Sequence, residues 1–288
     1  MGLFDRAVVR LLPAVPRPIV QRLSSPYIAG PSFGDARRVV AELNAEGQRA
    51  TVAVLGEEVT SVDEANAFAG AYREALELFA RDGLDANISV KPTALGLKLD
   101  RGLCRELAES LVREAAGRGT LVRLDMEDAS CTDATLGLYR SLREAGHDNV
   151  GVVLQAYLRR TLADIAELAE LTPNVRLCKG IYVEPPAIAF HDANVIRRSF
   201  VSALEALLGA GCFVGVATHD EPLIRESLAL LEGAQPGAYE LQMLLGVRKQ
   251  RAAELVAAGH GLRVYVPFGE QWYEYSLRRL QENPRVAG

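Results

Sequence analysis

From Ala50 onward, short apolar runs rich in β-branched residues alternate with longer stretches whose apolar positions recur every three or four residues. The first run is Thr51-Val52-Ala53-Val54-Leu55, and Ser61 stands where a helix needs its N-cap. Behind it Val62, Ala65, Phe68, Ala69, Tyr72, Ala75, Leu76 and Phe79 share one helical stripe. The same reading predicts strands at 87–91, 121–124, 150–154, 175–179, 212–217, 239–242 and 263–266. It predicts helices starting near Asp100, Thr132 and Thr161, then helices over 192–208, 221–231, 249–258 and 271–281. Eight strand–helix pairs without a linker or composition break predict an α/β protein of the (β/α)8 TIM type, its parallel sheet buried on both faces. An open doubly wound sheet is the competing arrangement. It is weakened because no strand runs into a GxGxxG turn and no GxxxxGK loop is present. Residues 1–45 stand outside the repeat, so an N-terminal helical arm is expected ahead of a catalytic barrel domain at 46–288.

Composition narrows the function. The 288 residues suit one barrel, and 49% hydrophobic with 24% charged residues can fill a large core. The net charge is -5, from 32 basic and 37 acidic residues with no single-sign block, which leaves no footprint for nucleic acid. Cys104, Cys131, Cys178 and Cys212 form no CxxC pair and read as reduced core thiols. His147, His191, His219 and His260 lack HxH or HExxH spacing, so no metal site is expected. The apolar start is broken by Asp5, Arg6, Arg10, Pro13, Pro16 and Pro18 and reads as an amphipathic arm rather than a leader. No run reaches the roughly 18 apolar residues of a membrane span.

The strand ends carry the candidate chemistry. Lys91, Asp125, Gln155, Arg176 with Lys179, Thr218-His219-Asp220, Gln242 and Tyr265 end or closely follow the predicted strands. One polar strand end satisfies a loop. So many titratable groups at the carboxyl ends point to a catalytic mouth. In the last helix Tyr273, Leu277 and Leu280 form an apolar face, with Tyr275, Arg278, Arg279 and Glu282 opposite. That second face is either solvated, with an Arg278–Glu282 ion pair, or a guanidinium pair aimed at a carboxylate in the pocket. Residue physics leaves both open. It also leaves open a Schiff-base role for Lys91 or Lys179.

The strings ISVKPTALG, RLDMEDAS, VVLQAYLRRT, VRLCKGIYVEP, VATHD, YELQMLLGVR and RVYVPFGEQWYEYSLRRLQENP occur in that order between about 50 and 284. Together they resemble the proline dehydrogenase family in its short, monofunctional bacterial form. Residues 1–45 match only at Tyr27-Ile28-Ala29-Gly30. The resemblance implies a distorted barrel with its last helix over the mouth and FAD held non-covalently. It implies oxidation of L-proline to Δ1-pyrroline-5-carboxylate by hydride transfer to flavin N5, the first step of proline degradation to glutamate. Residue by residue, it implies that Arg278 and Arg279 clamp the substrate carboxylate, with Lys91 as a further cation. Tyr265 packs on the substrate ring, and Glu282 fixes the arginines or the flavin. Asp125 orients Lys91 and the pocket, while Arg176 stands near N5; these two are the implied catalytic groups. Gln155 bonds the isoalloxazine edge and Met126 lies against the ring. Lys179, Gly180 and Ile181 line the cofactor, with Thr218 and His219 near the pyrophosphate or the ring.

Longer relatives carry one more FAD-contacting arginine near the segment that here reads Ala189-Phe190-His191-Asp192, and no matching residue stands there. The implied partners are a membrane quinone as electron acceptor and pyrroline-5-carboxylate dehydrogenase as consumer of the product. The implied location is cytoplasmic, with visits to the inner face of the cytoplasmic membrane. Another FAD barrel, such as a methylenetetrahydrofolate reductase, is disfavoured by the adjacent Arg278 and Arg279, and a silent binding barrel by the intact set of strand-end groups.

Overall fold

The structure is a computed structural model that describes residue 20 and residues 24–235, 237–273, 275 and 276. Helix α1 (Phe33–Ala45) leads into β1 (Arg49–Val54). The chain then alternates through α2 (Val62–Arg81), β2 (Ala86–Val90), α3 (Arg101–Ala116), β3 (Val122–Leu124), α4 (Thr132–Glu144) and β4 (Val150–Gln155). It continues through α5 (Thr161–Leu168), β5 (Asn174–Cys178), α6 (Ala193–Gly209), β6 (Phe213–Ala217), α7 (Glu221–Leu231), β7 (Tyr239–Leu244), α8 (Lys249–Ala257) and β8 (Leu262–Phe268). The eight strands are parallel and close in chain order into a barrel. This is the expected fold, with a helix behind each of the first seven strands. Of the segment expected as the last helix, only 271–273, 275 and 276 fall among the described residues.

Side-chain caps set four of the eight described helix starts. Ser61 Oγ accepts from Glu64 N at 3.2 Å, and Asp100 Oδ1 accepts from Gly102 N at 2.7 Å. Asp192 Oδ1 takes both Asn194 N and Val195 N at 2.9 Å. Helix α4 starts at Thr132, as expected, and a 3-10 turn, Ala129–Cys131, precedes it, with Asp128 Oδ1 accepting from Ser130 N at 2.8 Å. Asp128 therefore opens this turn, because its short carboxylate reaches the free amide two residues on.

Along each strand the side chains alternate between the helix side and the barrel interior. Val52, Ile88, Val122, Leu124, Val150, Val152, Val175, Leu177, Val214 and Val216 are almost fully buried among the helices and form one apolar layer with them. The alternate positions are polar. Arg176 on β5 bonds Ser89 on β2 and Gln242 on β7, contacts that can pass only through the interior. Barrels usually fill this space with branched apolar side chains. Here Arg123, Asp125, Arg176, Glu240 and Arg263 are all buried. Arg263 Nε donates to Glu240 Oε1 at 2.7 Å, while Arg123 donates to Asn174 O at 3.0 Å and Val152 O at 3.2 Å. Burial raises the Glu240 carboxyl, but the Arg263 guanidinium outweighs it and holds the group below its ordinary value. Burial, reinforced by the neighbouring Arg176, pulls Arg123 down to about 9.

Closure brings Tyr265 beside Thr51. Helix α1 packs over this β8–β1 seam with Ala36, Val39 and Val40 buried, and Phe33 meets Phe268 edge-on at 5.1 Å. It occupies the position that the helix after β8 takes in a regular barrel.

Candidate active site

One end of the barrel collects the sequence candidates. Lys91 follows β2, Asp125 and Met126 follow β3, and Gln155 closes β4. Lys179, Gly180 and Ile181 follow β5, and Thr218 and His219 follow β6. Arg176 and Tyr265 lie within β5 and β8, one step further inside. Arg278, Arg279 and Glu282 lie outside the described residues.

The centre of the cluster is Asp125. Its Oδ1 accepts from Arg176 Nη1 at 2.7 Å and from Ser89 Oγ at 2.6 Å, and its Oδ2 accepts from the Tyr265 hydroxyl at 3.1 Å. Arg176 Cζ also sits 5.3 Å from the centre of the Tyr265 ring. Burial, with the Asp125 carboxylate next, raises the Tyr265 hydroxyl well above its ordinary value, so the phenol remains a donor. The Arg176 Nε donates to Gln242 Oε1 at 2.6 Å. Its buried Nη2 has no hydrogen-bond partner among the described residues. A buried guanidinium nitrogen left unpaired costs free energy.

Around this centre the mouth is braced in two places. Thr93 N donates to Glu127 Oε2 at 3.0 Å, Thr93 Oγ1 donates to Glu127 Oε1, and Gln155 Nε2 donates to the Glu127 carbonyl at 2.9 Å. Burial pushes the Glu127 carboxyl up, and the Thr93 bonds offset only part of that rise. Lys91 Nζ pairs with Glu57 Oε2 at 2.8 Å on the loop after β1. On the other side Asp220 Oδ2 accepts from Lys179 Nζ at 3.1 Å and Arg197 Nε at 2.9 Å. Burial raises Asp220, yet these two cations hold it below its ordinary value. Neither lysine stands alone in an apolar pocket, the setting that activates a Schiff-base amine. His219 Nε2 accepts from Leu244 N at 2.9 Å, which assigns the ring proton to Nδ1. Arg248 Nη1 ties the His219 carbonyl at 2.8 Å.

Gly180 has φ +102°, and a Cβ there would come within 2.7 Å of Tyr157 Cγ. The loop can therefore run over the Tyr157 ring only with glycine. Beyond it Ile181 is 50% exposed, Val183 100% and Ile188 38%, an apolar edge beside the mouth. A separate cavity of about 230 Å³ lies between α1 and the end of β7, lined by Arg38, Glu42, Met243 and Val247, and touches none of the candidate groups.

Ser89, Glu57 and Glu127 carry contacts that the sequence did not assign, and Gln242 joins them from among the strand-end candidates. For Ser89 the available signal is parity, since it lies two positions from Lys91 and so shares its face of the strand.

Comparison with known proteins gives a consistent assignment. The model of the family described as proline dehydrogenase matches residues 36–288. Proline dehydrogenase 1 of Bacillus subtilis subsp. natto is 37% identical over 263 residues, covering 91% of this chain and 87% of that protein. Proline dehydrogenase of Deinococcus radiodurans is 35% identical over 271 residues, covering 92% of this chain and 87% of that one. Among solved structures, proline utilization A from Bdellovibrio bacteriovorus inactivated by N-propargylglycine superposes with a TM-score of 0.86 at 24% identity. That match covers 96% of this chain and 36% of the longer protein, and it speaks to the barrel fold. The chain belongs to the proline dehydrogenase family.

Proposed function

We propose that the chain oxidises L-proline to Δ1-pyrroline-5-carboxylate with non-covalently bound FAD, the first step of proline degradation to glutamate. The observation that carries this reading is the buried Asp125–Arg176–Tyr265 cluster, in which Arg176 Nη2 has no hydrogen-bond partner among the described residues. The interior also holds three buried guanidinium groups, Arg123, Arg176 and Arg263, against the carboxylates of Asp125 and Glu240. That excess of positive charge suits a group that gains electrons.

The residues present fit the flavin. Arg176 would stand near its N5, Gln155 would bond the ring edge and Met126 lie against the ring, while Lys179, Gly180 and Ile181 would line the cofactor and Thr218 with His219 would lie near the ring or the pyrophosphate. The chemistry FAD supplies when bound is two-electron oxidation, with hydride accepted at N5 and the electrons passed on to a membrane quinone. The protein's share is binding and geometry. Lys91, with Arg278 and Arg279 from the segment after β8, would bind the carboxylate. Tyr265 would pack on the pyrrolidine ring, and Glu282 would hold the arginine pair. In the product the C=N bond joins nitrogen to the ring carbon away from the carboxylate, so the hydride leaves Cδ and the nitrogen gives up its proton. Clamping the carboxylate end fixes where Cδ lies, which is catalysis by orientation. Asp125 fixes Arg176 and Tyr265 in this arrangement.

The exposed Ile181, Val183 and Ile188 support approach to a quinone at the inner face of the cytoplasmic membrane, by a cytoplasmic protein. Among the described residues no helix is long and apolar enough to cross a membrane. The product would pass to pyrroline-5-carboxylate dehydrogenase. In this reading residues 46–288 are the catalytic domain and 1–45 an arm, part of which, α1, packs on the barrel.

The deciding experiment is a visible spectrum of the purified protein followed by anaerobic addition of proline. Flavin bands that bleach with L-proline and persist with D-proline are expected. A protein that stays colourless after incubation with FAD overturns the reading.

A further inference from the structure

Within the barrel, Arg176 on β5, Gly215 on β6 and Glu240 on β7 stand side by side in register. Gln242, one inward step further along β7, reaches past β6 to accept from Arg176 Nε at 2.6 Å. On β6, at the level of Arg176, Gly215 presents no side chain and leaves a gap that Gln242 occupies. A Cβ there would overlap Gln242 Nε2 and lie 2.8 Å from its Cδ. The glycine has no positive φ to explain it, so room for Gln242 accounts for its place mid-strand.

The amide is also held the right way round. Gln242 Nε2 donates to Glu240 Oε1 at 2.7 Å, and the same oxygen accepts from Arg263 Nε at 2.7 Å. A guanidinium only donates and an ionised carboxylate only accepts, so the carboxamide between them has one possible orientation. With Ser89 and Asp125 taking Nη1, both edges of the Arg176 guanidinium are fixed and Nη2 alone is left over.

We propose that Gln242, crossing β6 through the gap at Gly215 and oriented by Glu240, is the positioning residue that sets the plane of Arg176 at the candidate active site. This rests on the flavin reading for its consequence and on the barrel geometry alone for its cause.

The test is a double-mutant cycle on the holoenzyme with Gly215→Ala, Gln242→Ala and the pair. Each single variant is expected to keep its FAD, to lower the rate of anaerobic bleaching by L-proline by about tenfold to a hundredfold, as a reacting geometry displaced by about 1 Å would, and to shift the flavin midpoint potential by the same amount in both. In the Gln242→Ala background the added methyl has nothing left to displace, so the double variant is expected to be no slower than Gln242→Ala. A Gly215→Ala enzyme with the wild-type rate and potential overturns the proposal, and so do two defects that multiply. If the wild-type chain takes up no FAD, the function has failed rather than the bridge. The same cycle on its melting temperature then decides, because coupled losses support the bridge and independent losses refute it.

Discussion

Asp125 Oδ1 and Arg176 Nη1 lie 2.7 Å apart inside the barrel, with side chains only 12% and 8% exposed. Charges so placed are costly to separate, since removing one strands the other in a poorly solvating interior. Asp125→Ala is therefore expected to cost about 3–5 kcal/mol of stability, read by denaturant unfolding, together with loss of bleaching by L-proline. Asp125→Asn keeps the shape of the carboxylate but not its charge, so it also strands Arg176 and should lose nearly as much stability. A much smaller loss in Asp125→Asn would show that hydrogen bonding rather than charge holds Arg176 in the fold.

Gly180 gives a separate prediction on the loop after β5. At φ +102° any Cβ is strained, and this one also meets the Tyr157 ring. Gly180→Ala should cost about 1–3 kcal/mol and reduce the FAD retained through purification. Trimming the ring as well, with Tyr157→Ala, should not restore the protein, because the backbone strain persists. Full recovery in that double variant would assign the whole effect to the ring.

Glu127 sets a pH dependence with a definite sign. Burial raises its carboxyl above the ordinary 4.5, so between that value and the raised one the folded chain holds a proton that the unfolded chain releases. Its contribution to stability is present below 4.5 and is lost as the pH rises through the folded value. Glu127→Gln, which can still meet Thr93, removes this loss. Denaturant midpoints measured at about pH 5 and about pH 8 should show the variant gaining on the wild type at the higher pH. A constant difference would mean that the carboxyl does not titrate in that window.

If the proposed quinone approaches over the loop after β5, the exposed residues there should distinguish two electron acceptors. Val183 is fully exposed and Ile181 half exposed. Val183→Ser should slow turnover with a quinone embedded in vesicles and leave turnover with a soluble dye unchanged. Equal slowing with both acceptors would place Val183 in the flavin site instead of on a membrane-facing edge.

The barrel was legible because every strand keeps an apolar residue at alternate positions for the helix layer, and each helix keeps its stripe. Asp125, Arg176, Gln242 and Tyr265 stand out as polar groups within or just past such strands. Their pairing, and the part of Ser89 in it, does not, for a physical reason. Which side chains meet across a barrel depends on register, as where Arg176 stands level with Gly215, and register leaves no mark in spacing along the chain. Glu57 was missed because it reaches Lys91 from the loop after β1. Thr132 opens α4 as its sequence suggests, whereas the 3-10 turn before it, set by Asp128 capturing the Ser130 amide, leaves no periodic mark.

The seat of α1 over the closing seam bears on how the chain is made. The helix is among the first described elements to be synthesised, yet its apolar face of Ala36, Val39 and Val40 rests partly on β8. Arg263 Nη1 reaches back to the Ala50 carbonyl across 213 positions of sequence. Until that last strand emerges, the helix and the open edge of β1 wait without cover, which is the condition under which a nascent chain sticks to its neighbours. Such distant pairing also folds slowly. Chaperone dependence during synthesis should accordingly end when β8 leaves the ribosome, whatever the state of the catalytic mouth.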